Sequence, residues 1–233
     1  TMKAAQEDYR MCGNGGYRVV TMAPSDVQEA ASMVYEAFDI ADQYRNPVVI
    51  LADGMIGQMM GAVDFDRMPP RRENLPAKDW ALRGSDARGG KAQAILFPVG
   101  TAHYIEKNIA ETELYPALIA NETRVESIGV EDADIVLAAY GTASRMCRAA
   151  METLKGELKL GLIRPKTLWP FPYEAFEAVN PKCKAIICPE IDDVKIAAAG
   201  RWPVSHVGDS RTDFLTPDAI VEKVRQVWKE VNA

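Results

Sequence analysis

The run Val48-Val49-Ile50-Leu51-Ala52 decides the fold class, because its apolar residues follow one another without a polar interruption. Such a run is typical of a parallel strand that is covered on both faces. Residues 17–23 form a second apolar run upstream and predict another strand. Two strands of this kind joined by a helix make a right-handed βαβ unit.

The segment between these two strands has the pattern of an amphipathic helix. Ser25 and Gln28, three residues apart, predict a capping box at its start, and Asn46-Pro47 predicts its end. Its apolar positions recur at helical spacing and are Val27, Ala30, Ala31, Val34, Ala37, Phe38 and Ala41. Residues 17–52 are therefore predicted to form one βαβ unit.

Strands and helices alternate again from about residue 126 onward. The apolar runs that predict strands are residues 133–140, 159–163, 185–188 and 202–207. Helices are predicted after Gly141-Thr142-Ala143-Ser144, around residues 173–179, and after a Thr216-Pro217-Asp218 cap. This alternation predicts an α/β protein made of two three-layer modules with mainly parallel sheets.

The segment between the two modules has a different composition. It is rich in Pro, Gly and charged residues, which is typical of a linker. A helix is predicted from His103 to about Arg124, and Pro116 should start, kink or break a segment there. We therefore expect three parts: residues 1–66, a linker with a helix over residues 67–125, and residues 126–233.

Composition argues against several classes of protein. The net charge of -6 and the pI of about 5.1 argue against nucleic acid or an anionic membrane as the main partner. No apolar run approaches the roughly 20 residues of a membrane span, and the first residues lack the apolar core of a signal peptide. A cytoplasmic protein is the resulting expectation.

The four cysteines predict neither a metal site nor an iron–sulfur cluster in this chain. They are Cys12, Cys147, Cys183 and Cys188, and none forms a CxxC pair. We expect reduced cysteines that act as small hydrophobic residues.

No complete catalytic set is visible in the sequence. His103 and His206 have no serine or cysteine in a nucleophile elbow beside them, and both are expected to be structural. The glycine-rich residues 12–16 precede a strand, so they are not a dinucleotide-binding fingerprint. Gly141-Thr142-Ala143-Ser144 opens a helix, where backbone amides can hold an anion, although many α/β turns of this kind bind nothing. We therefore assign no catalytic residue and no metal ligand.

The segment that follows Ala52 is the candidate cofactor-side edge. Ligands bind open parallel sheets beyond the carboxyl ends of the strands, which makes Asp53, Gly54 and Gln58 candidate cofactor-binding residues. The methionines up to Met60 fit an adaptable contact surface. A short helix that packs on the sheet is the alternative.

A second unusual segment is the proline- and aromatic-rich run that covers residues 162–172. An apolar strand ends there at Arg164. The loop that follows contains three prolines, a tryptophan and a phenylalanine. Because aromatic residues and arginine dominate buried protein contacts, Arg164, Trp169 and Phe171 are candidate interface residues. Core packing combined with a capped strand end is the alternative interpretation.

Six motifs, taken together and in this order, resemble the 2-oxoacid:ferredoxin oxidoreductases. The similarity is to the alpha-type subunit of the 2-oxoisovalerate (3-methyl-2-oxobutanoate) or 2-oxoglutarate enzymes, and it covers nearly the whole chain. The motifs are residues 23–30, 44–54, 57–60, 78–82, 139–142 and 164–172. The last, from Arg164 to Pro172, is the most specific.

The resemblance implies a fold and an activity. Residues 1–66 would be the C-terminal part of a thiamine diphosphate pyrimidine-type domain, and residues 126–233 a transketolase C-terminal-like domain. The family's N-terminal segment, with its Tyr-Pro-x-Thr-Pro motif, would be missing here. Such enzymes oxidatively decarboxylate a 2-oxoacid, pass the acyl group to coenzyme A and reduce ferredoxin.

The resemblance also implies cofactors and partners. Thiamine diphosphate and Mg would be shared with or held by a beta-type subunit, and iron–sulfur clusters would lie only in the beta-type and gamma/delta-type partners of a hetero-oligomer. The isolated chain would be inactive. Two alternatives stay open: a beta-type subunit of an NAD-linked 2-oxoacid dehydrogenase or transketolase relative, and a non-catalytic α/β assembly or nucleotide-binding module.

Overall fold

The structure is a computed structural model of the chain. It describes residues 9, 12–13, 17–78, 81–82, 84, 87, 89, 100–189, 193–208 and 215–233, without the side chain of His103. The motif residues Asp79 and Trp80 and part of the glycine-rich segment 12–16 lie outside the described residues.

The first sheet has three strands in the order β2-β1-β6. Strand β1 (Val20–Met22) runs parallel to β2 (Val48–Ile50), and helix α1 (Val27–Tyr44) connects them, which confirms the predicted βαβ unit. The third strand, β6 (Thr167–Trp169), comes from far along the chain and pairs antiparallel with β1. Strand β2 lies at the edge of this sheet, and its residues are half-buried.

Helix α1 begins one residue later than the predicted capping box. Asp26 is the N-cap, and its carboxylate accepts a hydrogen bond from the amide of Glu29 at 2.8 Å. The side chain of Glu29 reaches back to accept hydrogen bonds from the amide and hydroxyl of Ser25. The capping contacts are therefore built from Ser25, Asp26 and Glu29 and do not involve Gln28.

The second sheet has five strands in the order β3-β5-β4-β7-β8. Strands β4 (Ile135–Ala138), β5 (Leu160–Pro165), β7 (Ala185–Cys188) and β8 (Val204–His206) are parallel, as predicted. Strand β3 (Val125–Ile128) adds an antiparallel edge that was not predicted. The mixed α/β fold with mainly parallel sheets is thereby confirmed.

Short helices connect the two sheets. Helix α2 (Gly54–Gln58) directly follows β2, as the second interpretation of that segment predicted, and a 3-10 turn occupies Phe65–Arg67. The single helix expected from His103 to Arg124 is instead α3 (Thr101–Ile109), a π-helical segment (Ala110–Leu114) and α4 (Tyr115–Glu122). The π segment ends two residues before Pro116, which cannot donate a backbone hydrogen bond.

Three helices complete the second module: α5 (Gly141–Thr153), α6 (Asp193–Ala198) and α7 (Pro217–Val231). Thr216 caps α7 as predicted, by accepting from the amide of Ala219. The helix expected over residues 173–179 is only a 3-10 turn, Tyr173–Phe176. Among the described residues, no helix is both long and apolar enough to cross a membrane.

Alternate residues of the second sheet pack into two separate cores. Ile135, Leu137 and Ile187 point to the core beneath α5 and α7, whereas Val136 and Ile186 point to the opposite core. The opposite core also receives Ala23 and Leu51 of the first module, together with Leu168 and Phe171. The division into residues 1–66, 67–125 and 126–233 stays a prediction, and β6 shows that the chain returns to the first sheet after it has entered the second.

Candidate functional site

The carboxyl ends of the strands of the first module face the second module across a narrow contact region. We call this region the seam and define it as residues 22–29, 51–53, 139–142 and 164–169. The amide of Ala23 donates to the carbonyl of Lys166 at 2.8 Å, just beyond the β1–β6 ladder. The seam therefore contains both the predicted cofactor-side residue Asp53 and the predicted interface residue Arg164.

Asp53 uses one carboxylate to cap two helices. As the N-cap of α2, it accepts hydrogen bonds at Oδ1 from the amides of Met55 (3.1 Å) and Ile56 (3.0 Å). It also accepts from the amide of Thr142 at Oδ2 (2.7 Å) and from the hydroxyl of Thr142 at Oδ1 (2.8 Å). The start of α5, which the sequence marked as a possible anion site, thus receives a carboxylate of the same chain.

The close approach of Asp53 depends on the residue at the start of α5. Gly141 has a φ of +55°, which favours glycine. A Cβ placed on Gly141 would lie 2.9 Å from Oδ2 of Asp53. Glycine at position 141 therefore allows both the backbone conformation and the carboxylate contact.

The rest of the predicted cofactor-side edge is open to solvent. Gly54 and Gln58 are exposed, as are Met55, Met59 and Met60. Ile56 alone in α2 is buried, at 5% exposure, and anchors the helix to the protein. The role of Asp53, Gly54 and Gln58 in cofactor binding stays a prediction.

Arg164 is the buried centre of an ion network that extends from the seam to Glu126 and Arg148. Its guanidinium donates to both carboxylate oxygens of Glu29 (2.7 and 2.9 Å) and, through Nε, to Glu126 (2.7 Å). Only 4% of its side chain is exposed. Lys166 adds a contact to Glu29 at 3.0 Å, and Arg148 pairs with Glu126 at 2.6 Å. Because Glu29 belongs to α1 and Arg164 to β5, the network connects the two modules.

These contacts change the acidity of both carboxyl groups. Burial alone would raise the pKa of Glu29, but hydrogen bonds from Arg164, Ser25 and Lys166 and the Arg164 charge lower it to about 2. Burial likewise acts to raise the pKa of Glu126, and its two arginine partners outweigh that effect and lower it. Both groups are therefore ionised throughout the neutral range.

Trp169 and Phe171, the other two interface candidates, make contacts within the chain. Trp169 is half-buried and meets Tyr115 edge to face, with 5.7 Å between ring centroids. Phe171 is 7% exposed and stacks on Phe176. The contacts of Arg164, Trp169 and Phe171 are those of the core-packing interpretation, and their place at a subunit interface stays a prediction.

The sequence did not predict which residues pair with Asp53 and Arg164. Thr142, Glu29 and Glu126 carried no signal for long-range pairing, since Glu29 reads as one of several acidic residues on the polar face of a helix. A second missed group is Arg72, which makes a bidentate pair with the buried Glu122 at 2.7 Å. Arg72 lies in the predicted linker, and its ion pair with Glu122 connects the linker to α4.

The cysteines and histidines give no reactive centre among the described residues. Burial raises the pKa of the Cys147 thiol to about 12, so this thiol stays protonated at neutral pH. No disulfide joins any of the four cysteines, all of which lie in the described part of the chain. Within the described ranges, no three His, Cys, Asp or Glu side chains come together in a way that could hold a metal ion. His206 is exposed at the end of β8.

Two family models match this chain. One, described as "Pyruvate flavodoxin/ferredoxin oxidoreductase, thiamine diP-bdg", matches residues 1–88. The other, described as "Pyruvate:ferredoxin oxidoreductase core domain II", matches residues 133–201. The two models follow the order of the two modules along the chain.

Curated relatives resemble the chain over nearly its whole length. The ketoisovalerate oxidoreductase subunit VorB of Methanothermobacter marburgensis is 36% identical over 97% of this chain, and that of Methanothermobacter thermautotrophicus is 35% identical over 92%. The 2-oxoglutarate synthase subunit KorA of Methanocaldococcus jannaschii is 28% identical over 81% of the chain. The chain spans only 66% and 62% of the length of the two ketoisovalerate relatives.

Solved structures share the fold. A 2-oxoglutarate:ferredoxin oxidoreductase from Magnetococcus marinus, with 2-oxoglutarate, coenzyme A and succinyl-CoA bound, aligns with a TM-score of 0.63 at 20% identity. It covers 92% of this chain and 43% of that one. A split-gene transketolase, an inactive beta4 tetramer, aligns with a TM-score of 0.53 at 14% identity over 97% of this chain and 62% of that one.

Proposed function

Because this chain belongs to the 2-oxoacid:ferredoxin oxidoreductase family, we propose that it is part of a subunit of a thiamine diphosphate-dependent enzyme that oxidises a branched-chain 2-oxoacid. The products would be acyl-CoA, carbon dioxide and reduced ferredoxin. The observation that carries this proposal is the 36% identity to a ketoisovalerate oxidoreductase subunit across 97% of the chain.

The substrate preference rests on the ranking of the relatives. The two ketoisovalerate subunits are 35–36% identical to this chain, whereas the 2-oxoglutarate subunits are 23–28% identical. A 2-oxoglutarate site must accommodate a second carboxylate, and a 2-oxoisovalerate site must accommodate a branched apolar group, so one pocket cannot suit both. We therefore propose 2-oxoisovalerate as the preferred substrate.

The described residues do not fit the Mg-diphosphate part of the cofactor. Asp53, the carboxylate at the end of β2, is already engaged by Thr142, Met55 and Ile56, and no acidic cluster accompanies it within the described ranges. As the family resemblance implies, we place the diphosphate and Mg on a beta-type partner subunit and the iron–sulfur clusters on partner subunits. Thiamine diphosphate supplies a carbon nucleophile in such enzymes.

The contribution of this chain would then be positional. Its two modules are joined by buried charges and by a shared strand, so they would present a fixed surface to partner subunits. Gly54, Gln58 and the exposed Met55, Met59 and Met60 lie next to the contact between the modules and would face the cofactor-bearing partner. The chain without its partners would be inactive.

The test is reconstitution of the complete complex. The full-length subunit that contains this chain, co-expressed with its partners and purified without oxygen, is assayed for coenzyme A-dependent reduction of ferredoxin or a viologen dye. The substrates compared are 2-oxoisovalerate, 2-oxoglutarate, pyruvate and indolepyruvate. We expect the highest kcat/KM with 2-oxoisovalerate, and no activity when this subunit is left out.

Three results would contradict parts of this proposal. A higher kcat/KM with 2-oxoglutarate would overturn the substrate assignment alone. Dye reduction without coenzyme A would overturn the acyl-CoA product. Activity that requires NAD and a lipoyl protein, or no activity with any 2-oxoacid, would overturn the enzyme class.

A further inference from the structure

We propose that Asp53 is a positioning residue that fixes the two sheets relative to each other, by capping from the first module the helix that starts the second. This role would be a property of the chain's own structure and does not depend on the proposed activity. It goes beyond the predicted cofactor-side role of Asp53, because the ligand of the carboxylate is another part of the same chain.

Helix α5 lacks a side-chain cap from its own N-cap residue. The residue at its N-cap position is Tyr140, which makes no side-chain capping hydrogen bond. The first amides of any helix need an acceptor, and an Asp, Asn, Ser or Thr at the N-cap normally provides one. Here Asp53, 89 residues earlier in the chain, accepts from the amide of Thr142 instead.

The contact between Asp53 and Thr142 requires the two modules to be held in this orientation. Asp53 follows β2, which lies at the edge of the first sheet, and α5 follows β4, the central strand of the second sheet. The amide and hydroxyl of Thr142 bind the two different oxygens of Asp53, at 2.7 and 2.8 Å. Two bonds to two oxygens define both the distance and the rotation between the helix and the strand end.

The contact between Asp53 and α5 is also favoured electrostatically. Asp53 brings a negative charge to the start of a 13-residue helix, where the helix dipole is positive. The same carboxylate also accepts from two amides of α2. Charge-assisted hydrogen bonds of this type are stronger than neutral ones, so the shared carboxylate favours the docked arrangement over a separated one.

Other contacts of the seam distinguish a residue that holds the two modules together from one that only caps a helix. If Asp53 only capped α5, its loss would affect the first turn of α5 and nothing else. If it holds the modules together, its loss would also weaken seam contacts that it does not touch. One such contact is the hydrogen bond from the amide of Ala23 to the carbonyl of Lys166.

The experiment is residue-resolved amide hydrogen exchange at neutral pH on the full chain and on three variants. Asp53→Asn presents an amide NH2 or a neutral oxygen to Thr142, and Thr142→Val removes only the hydroxyl contact. Asp64→Asn is the matched control, because Asp64 caps a 3-10 turn within its own segment through the amide of Asp66. The amides of Val136 and Leu137, inside β4, report global unfolding.

We expect Asp53→Asn to speed exchange at Thr142 and at Ala23 by roughly two- to fivefold, because asparagine keeps one oxygen acceptor but removes the negative charge, which is worth about 0.3–1 kcal/mol at a helix start. Thr142→Val should give a smaller increase at the same two amides, and Asp64→Asn should change neither. Exchange at Val136 and Leu137 should rise by no more than the same factor, because the contact also contributes to the free energy of global unfolding. Should Asp53→Asn fail to fold, Thr142→Val still decides the question.

Two results would overturn the proposal. Faster exchange at Thr142 with no change at Ala23 would mean that Asp53 caps a helix and positions nothing. Unchanged exchange at Thr142 in a folded Asp53→Asn chain would mean that the contact has no energetic weight.

Discussion

Replacement of Glu29 by glutamine tests the buried ion network most directly. The carboxylate of Glu29 accepts from Arg164, Lys166 and Ser25, and only 16% of its side chain is exposed. A pKa that falls from the ordinary 4.5 to about 2 means that the folded chain favours the ionised form. At 1.36 kcal/mol per pH unit, this preference amounts to about 3 kcal/mol of stability at pH 7.

The sign of the pH dependence follows from the direction of the shift. A carboxyl group whose pKa is lowered by folding stabilises the folded chain fully above the unfolded value of 4.5. The contribution then declines as the pH falls from 4.5 towards about 2. At pH 3 it should have decreased to about 1 kcal/mol.

The assay is urea-induced unfolding of the chain and its variants at pH 7 and pH 3. We expect Glu29→Gln to lower the free energy of unfolding by about 3 kcal/mol at pH 7, since Arg164 stays buried with one partner fewer. The matched control is Glu152→Gln, which removes the same charge from an exposed pair with Lys155 and should cost less than about 0.5 kcal/mol.

Two outcomes would refute this reasoning. Equal effects of Glu29→Gln and Glu152→Gln at pH 7 would show that the buried network does not stabilise the fold. A loss for Glu29→Gln that is as large at pH 3 as at pH 7 would show that the loss comes from packing and not from the ionised carboxylate.

Three further predictions concern packing and reactivity. Gly161→Ala should lower the free energy of unfolding by about 1–3 kcal/mol, because a Cβ at that position would lie 3.0 Å from the backbone of Val130. The control Gly57→Ala, where a Cβ would have nothing within 4 Å, should be neutral or slightly stabilising. Equal effects of the two variants in thermal unfolding would contradict this prediction. Phe176→Ala should lower the free energy of unfolding by about 3–5 kcal/mol, since Phe176 is fully buried. The control Phe65→Ala, at a position that is 77% exposed, should lower it little. Urea titrations compare the two variants, and similar losses of stability would contradict the prediction. A thiol reagent at neutral pH should label the partly exposed Cys12 before the buried Cys147, because burial raises the pKa of the Cys147 thiol to about 12. Peptide mass spectrometry identifies the labelled cysteine. Rapid labelling of Cys147 in the native chain would disprove its burial.

The elements that could be predicted from the sequence are those with strong local signals. Helix α1 and strands β4 and β7 appeared where apolar spacing placed them, and the Thr216 cap of α7 was predicted at the correct residue. Each of these depends on the chemistry of a few neighbouring residues, which a single sequence contains.

The elements that were missed depend on distant partners. Strand β6 covers only Thr167–Trp169 and lies between Pro165 and Pro170, so nothing local distinguishes it from a loop. Strand β3 has alternating exposed and half-buried residues at a sheet edge and gave no apolar run. At the site, the sequence singled out Arg164 and Asp53 as candidates, but their partners Glu29 and Thr142 lie 135 and 89 residues away. Contacts between residues so far apart in the sequence are determined by tertiary packing, and the pattern of neighbouring residues does not predict them.

The position of β6 in the first sheet has a consequence for how the protein is made. On the ribosome, β1 and β2 emerge long before Thr167–Trp169, so the β1 edge opposite β2 stays without its native neighbour while more than a hundred further residues are synthesised. An unpaired strand edge is a template for pairing with another nascent chain. A fragment cut in the linker would retain that open edge permanently. Expression of the N-terminal module by itself should therefore favour aggregation, and co-production of the remaining chain should relieve it.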